Sequence, residues 1–324
     1  MADRDIDTQL TKYLTDAHSI EEQALAQLRR APDLAGAFEL ADALRVHLTE
    51  TEEHERLVRE RLEARDASPS RLKDVVARAG GLGFLLFAKL QPDTPGKLAA
   101  HAFSYEHLEL ACYDLVTRVA ERAGDEETAA VTRRIRGEED AMASRIGGLW
   151  DATVEASLRE KDAGDLTKHL QKYLSDAHAI EGQAIQLLEK GPKLAGDETL
   201  ARIYEEHLDE TRDHQEAVAD RLTAIGGSTN ALKDAAMRLG ALNWGAFFAA
   251  QPDTPGKLAA FAYAFEHLEI GGYEQLKRVA EKAGDTETQS LAERLLAQER
   301  EAAERIFGAF DRAADASLEA VGAR

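Results

Sequence analysis

Apolar residues recur every three or four positions along four long stretches of the first half of the chain, the spacing of amphipathic helices. Leu10, Leu14, Ala17, Glu21, Leu25 and Leu28 mark a first helix, from about Asp7 to Arg30, which Pro32 ends. Leu40, Ala43, Leu44, His47, Glu50, His54, Leu57 and Val58 mark a second, from about Ala37 to Ala64. A shorter helix around Leu72, Val75, Val76 and Ala79 follows, and then a glycine-rich apolar crossover, Gly80 to Leu90. Thr94 as N-cap, Pro95 in the first turn and Gly124 at the far end bracket a third helix. Asp125 is placed to cap a fourth, from about Glu126 to Leu158. Short turns join helices 1 and 2 and helices 3 and 4, and a long connection separates the pairs. That is the connectivity of a four-helix bundle with one long crossover between helices 2 and 3.

The pattern then repeats without a gap. Gln91 to Ala100 recurs identically as Gln251 to Ala260, and Lys12-Tyr13-Leu14 as Lys172-Tyr173-Leu174, each 160 residues later (251 − 91 and 172 − 12). Two copies are too few for a solenoid. The chain is therefore expected to fold as two all-α domains, 1–160 and 161–324, paired within the chain as a homodimer of single repeats would be. Duplication also filters residues. His18, His47, His54 and His107 return as His178, His207, His214 and His267, whereas His101 becomes Phe261.

Each helix carries a carboxylate inside its apolar face: Glu21, then Glu50, then Glu106 with Glu109 one turn on, then Glu139 between Ile135, Met142 and Ile146. All return, as Glu181, Glu210, Glu266, Glu269 and Glu299, while Glu138 becomes Gln298 and is read as surface. An unpaired charge in a core costs roughly several kcal/mol, so such a set needs protons or cations. Two divalent ions per repeat would neutralise it, and carboxylates with imidazole suit Fe, Mn or Zn. The expected ligands are Glu21, Glu50, His54, Glu106, Glu109 and Glu139 in the first repeat. In the second they are Glu181, Glu210, His214, Glu266, Glu269 and Glu299. His47, His207, His18 and His178 are expected as alternative ligands or as groups supporting a ligand. Tyr113 and Tyr273 are expected either as core or as hydrogen-bond partners of a ligand carboxylate. The competing expectation is that these glutamates snorkel to water.

Composition narrows the classes. The chain of 324 residues is 44% hydrophobic but only 6% aromatic, which favours helix over strand. A net charge of −20 argues against a nucleic acid held through its phosphates. The apolar runs are too short for a membrane span, the N-terminal stretch has no apolar signal core, and Cys112 has no cysteine partner in the chain. These features together suit the cytoplasm.

The segments Asp16-Ala17-His18-Ser19-Ile20-Glu21, His47-Leu48-Thr49-Glu50-Thr51, Glu106-His107-Leu108-Glu109 with Tyr113, and Glu138-Glu139 are similar, in order and spacing, to the ferritin-like superfamily. Specifically, they resemble the YciE/YciF-type bacterial stress proteins, here in tandem. The resemblance implies two ferritin-like four-helix bundles, a dinuclear carboxylate site in each, a role in stress response, and chemistry on iron, oxygen or peroxide. The chain departs from the usual Glu-x-x-His pair of such sites. Helix 2 has His47-x-x-Glu50 and Glu50-x-x-x-His54, and helix 4 has no histidine. The alternative function is a non-enzymatic helical protein with a degenerate or metal-free site. A haemerythrin-like carrier would need histidine-rich motifs that helices 3 and 4 lack, and a phosphotransfer histidine would not be flanked as His107 is by Glu106 and Glu109.

Overall fold

A computed structural model describes residues 2–71, 73–75, 77–78, 93–159, 166–229 and 253–323. Every element among them is helical. The chain divides into two compact units, Met1–Lys161 with Gly322–Arg324, and Asp162–Val321. The first contains α1 (Ala2–Leu28), α2 (Phe38–Glu63), α3 (Thr94–Arg122), α4 (Glu126–Gly147) and α5 (Trp150–Arg159). The second contains α6 (Leu166–Leu188), α7 (Glu198–Ala224), α8 (Thr254–Ala283), α9 (Thr286–Gly308) and α10 (Phe310–Ala320). The expected crossovers, Gly80 to Leu90 and Gly240 to Ala250 with Trp244, lie outside the described residues, as does part of the short helix after α2.

In the first unit, α1 packs on α2 and α3, and α4 packs on α3 and α2, closing a ring of four helices; α6 to α9 repeat it. The buried stripe of α1, Leu10, Leu14, Ala17, Glu21, Leu25 and Leu28, is the one its periodicity marks. Helix α3 is buried on most of its circumference because α5 covers it as well.

The α3–α4 turn is set by Gly124, whose φ of 70° suits glycine, and by Asp125, whose carboxylate accepts the Thr128 amide at 2.9 Å. Gly284 and Asp285 repeat the device. Arg61 from the last turn of α2 reaches the same Asp125 at 3.4 Å, as its counterpart Arg221 reaches Asp285 at 2.6 Å, and Arg65, just past the helix, adds a contact to Asp125 at 2.6 Å. The end of α2 is thus tied to the start of α4, which fixes these two helices antiparallel.

Two boundaries differ from expectation. The fourth helix breaks at Gly147-Gly148, the poorest helix formers in that stretch, so that α5 can turn Trp150 inward against Phe103, ring centroids 5.3 Å apart. The second unit breaks at the matching place, before buried Phe310. At the start of α3 the N-cap residue is Asp93, not Thr94, and its side chain makes no capping bond. Ser157 of α5 accepts the Gly96 amide instead at 2.8 Å, satisfying a helix-end donor that would otherwise be buried unpaired.

Candidate metal centre

Four helices of the first unit each turn charged groups into one layer. Glu21 comes from α1, His47 and His54 from α2, Glu106 and Glu109 from α3, and Glu139 from α4; all six are buried. One donor atom from each of His47, Glu106, Glu109 and Glu139 lies within 4.8 Å of the others, and the same holds for Glu21, His54 and Glu139. Glu139 belongs to both groups. Its Oε1 is 2.8 Å from His54 Nδ1 and its Oε2 is 3.3 Å from His47 Nε2. His47 Nε2 is also 3.0 Å from Glu106 Oε2, and His54 Nδ1 is 4.0 Å from Glu21 Oε2. The second unit assembles His207, Glu266, Glu269 and Glu299 beside Glu181, His214 and the same Glu299.

Both histidines come from one helix, seven residues apart, so they share a face. That spacing explains the place of Glu50. At 3.6 residues per turn it is rotated about 40–60° from the His47/His54 line. It therefore stands outside the cluster and accepts the Nδ1 proton of His47 at 3.0 Å, where the sequence pattern had put it among the ligands. Glu210 does the same for His207 at 3.0 Å and is also held by Arg305. His47 and His207, expected as alternatives, are the ones brought in. Tyr113 donates its hydroxyl to Glu21, and Tyr273 to Glu181.

Glu138, read as surface, is only partly exposed and accepts the Nε2 proton of His54 at 2.7 Å. Its pairing is lost in the second repeat, so the duplication filter could not find it. His18 lies apart from the centre, between Asp74 at 3.2 Å and Glu55 at 3.0 Å. At His178 the positions of Glu22 and Glu55 are taken by Gly182 and Gln215, and the His178 carbonyl accepts from Gln215. His107 donates Nδ1 to the Phe103 carbonyl at 2.7 Å, as His267 does to Tyr263, and neither joins the centre.

Burial is the largest influence on the acids. It pushes Glu21 up to about 8 and Glu106 up to about 7, and raises Glu109 well above the carboxylate range. Burial opposes the charge of Glu139 too, but His47 and His54 outweigh it and hold that carboxyl down to about 2. Burial likewise disfavours the imidazolium of His54, yet its carboxylate neighbours lift it to about 9, and His47 is raised well above its usual value by Glu106. In the second repeat burial brings Glu266 to about 7 and raises Glu181 and Glu269 well above the usual range.

These residues fit divalent cations. Donors about 2.1 Å from one octahedral ion lie about 3.0 Å apart when adjacent and about 4.2 Å apart when opposite, and the donor contacts here run from 2.8 to 4.0 Å. Glu21 Oε2 and both oxygens of Glu109 are buried without hydrogen bonds, while the inward atoms of His47, His54, Glu106 and Glu139 meet only one another, as ion pairs. Buried polar atoms in folded proteins normally find a partner. So many lone pairs aimed at two points, with charge-bearing groups fastened behind them, is the arrangement of a ligand shell. A small cavity of about 20 Å³ adjoins Glu106 in the first repeat, lined also by Gln27, Leu44, His101 and Tyr105.

A family model described as "Domain of unknown function (DUF892)" matches the chain twice, over residues 5–159 and 165–319. No solved structure matches it.

Proposed function

The chain belongs to the DUF892 family through both of its repeats, and we propose that each repeat is a ferritin-like four-helix bundle holding a dinuclear carboxylate metal centre. The observation that carries this reading is the pair of buried carboxylate–imidazole donor sets sharing Glu139, and again sharing Glu299, with both oxygens of Glu109 and of Glu269 left without hydrogen bonds. Glu139 would serve both positions. His47, Glu106 and Glu109 would complete one position, and Glu21 and His54 the other. Iron or manganese bound there would supply Lewis acidity and one-electron redox chemistry toward oxygen or peroxide.

The protein's own groups set the conditions for that chemistry. Tyr113 fixes the orientation of Glu21 by hydrogen-bonding its outer oxygen. Glu50 and Glu138 hold the protons of His47 and His54 on the outward nitrogens, which leaves the inward lone pairs for a cation. Burial and the neighbouring carboxylates favour a protonated Glu109 in the metal-free centre, a proton that a bound cation would displace. The apolar layers around the centre exclude bulk water. The resemblance to YciE/YciF-type proteins supports a setting in bacterial stress response, with protection against iron and oxidant as the task.

A second reading, a metal-free helical protein, draws on the same histidines. Their raised affinity for protons lets imidazolium neutralise the carboxylates. Oxidation of added Fe(II), followed by ferric absorbance and oxygen uptake, separates the two. The wild-type chain should accelerate it, and Glu139→Gln with Glu299→Gln should remove the acceleration. A wild-type rate equal to buffer, or a rate the double variant keeps, contradicts the oxidase reading.

A further inference from the structure

The two centres are built from matched ligands, but what stands behind one histidine differs between them. In the first repeat His54 turns Nδ1 to the centre and Nε2 outward, where Glu138 accepts its proton at 2.7 Å. Arg134 holds the other oxygen of Glu138 at 2.9 Å. In the second repeat His214 presents Nδ1 in the same way, 2.8 Å from Glu299. Gln298 stands at the position of Glu138, although Arg294 keeps the place of Arg134. Nε2 of this buried ring has no hydrogen-bond partner.

We propose that Glu138 is a positioning residue that makes the two centres unequal: the His54 position holds its cation more tightly than the His214 position, and the chain loads in two stages. This rests on the metal-centre reading above. An imidazole ligates through a nitrogen lone pair, so its one proton must sit on the other nitrogen. Glu138 anchors that proton on Nε2 of His54, and its negative charge makes the ring a stronger donor. In both rings Nδ1 also lies 2.8 Å from a glutamate, Glu139 or Glu299, a contact that favours a proton on the very atom that must ligate, and only His54 has a competing acceptor on Nε2. Binding at His214 moves the proton to Nε2, a buried position with no acceptor. The other histidines serve as the internal control. His47 and His207 each give Nδ1 to a glutamate, Glu50 or Glu210, at 3.0 Å. The proton of these two rings therefore has the same acceptor in both repeats.

The test is a Mn(II) titration of the full chain after chelator treatment, with free Mn(II) read from its six-line electron paramagnetic resonance signal. Wild type should show one ion per chain bound about 10–100-fold more weakly than the rest, the usual effect of losing such a carboxylate. Glu138→Gln should raise the number of weak ions to two, and Gln298→Glu, beside Arg294, should reduce it to none. Both positions are partly exposed, so the variants should keep the fold, which circular dichroism checks. A single affinity class in all three proteins, or a weak ion indifferent to both substitutions, overturns the role of Glu138 and leaves the metal reading standing. No binding of Mn(II), nor of Zn(II), in any of them overturns both.

Discussion

Glu109→Met should stabilise the metal-free chain and at the same time lower its metal content. Glu109 is 1% exposed and neither of its oxygens has a hydrogen bond. Burial, and then the charges of Glu139, Glu21 and Glu106, favour its protonated form without metal. Methionine matches its unbranched length and helix propensity and needs no partner. Removing an unsatisfied buried polar group is worth about 1–3 kcal/mol. At about 2–4 °C per kcal/mol for a domain of this size, the first repeat should melt about 2–12 °C higher. With metal the sign reverses. An ion present at about 100 times its Kd adds about 2.7 kcal/mol to the wild-type fold, and the variant forfeits that for the position Glu109 serves. Calorimetry with and without chelator, alongside metal counts, reads both effects. A metal-free variant that melts below wild type, or one that retains full metal content, would refute the reasoning.

Two further outcomes follow from the same geometry and its surroundings. The metal-free chain should lose stability as pH rises from about 4.5 to about 9, because Glu21 at about 8, Glu106 at about 7 and His54 at about 9 all bind protons more tightly folded than unfolded. Glu139, held down to about 2, adds a loss only as pH falls below about 4.5. Metal displaces these protons and should flatten or reverse the slope between pH 5 and 8, which melting curves across pH will check. Separately, a Cβ at Gly191 would sit 3.0 Å from the buried Tyr204 ring, so Gly191→Ala should cost about 1–3 kcal/mol. In a Tyr204→Leu background, which reproduces the Ala31/Leu44 pair of the first repeat, that cost should vanish; additive losses in denaturant melts would contradict this.

The helices were legible because apolar spacing decides which face is buried, and the α1 stripe from Leu10 to Leu28 is buried as its period requires. The break before Trp150 was not, since it depends on the ring finding Phe103, a contact remote in sequence. The residues of the candidate centre could be picked out because carboxylates on an apolar face conflict with burial, and duplication kept them. What spacing could not decide was rank. Glu50 and His47 lie one turn apart on α2, and only the rotation of the helix puts the imidazole inward and the carboxylate behind it. Glu138 escaped for the opposite reason: its role belongs to one repeat, so a filter built on both repeats removes it.

The central claim is that these buried donor sets hold cations, and metal analysis of the full chain purified without chelator tests it most directly. Two ions for each repeat, about four per chain, are expected, with Glu106→Ala and Glu266→Ala each lowering the number while the helical content stays intact. A chain that carries no metal and takes up none of Fe(II), Mn(II) or Zn(II), and whose Glu106→Ala and Glu266→Ala variants melt higher than wild type, would contradict the account and leave a proton-neutralised core in its place.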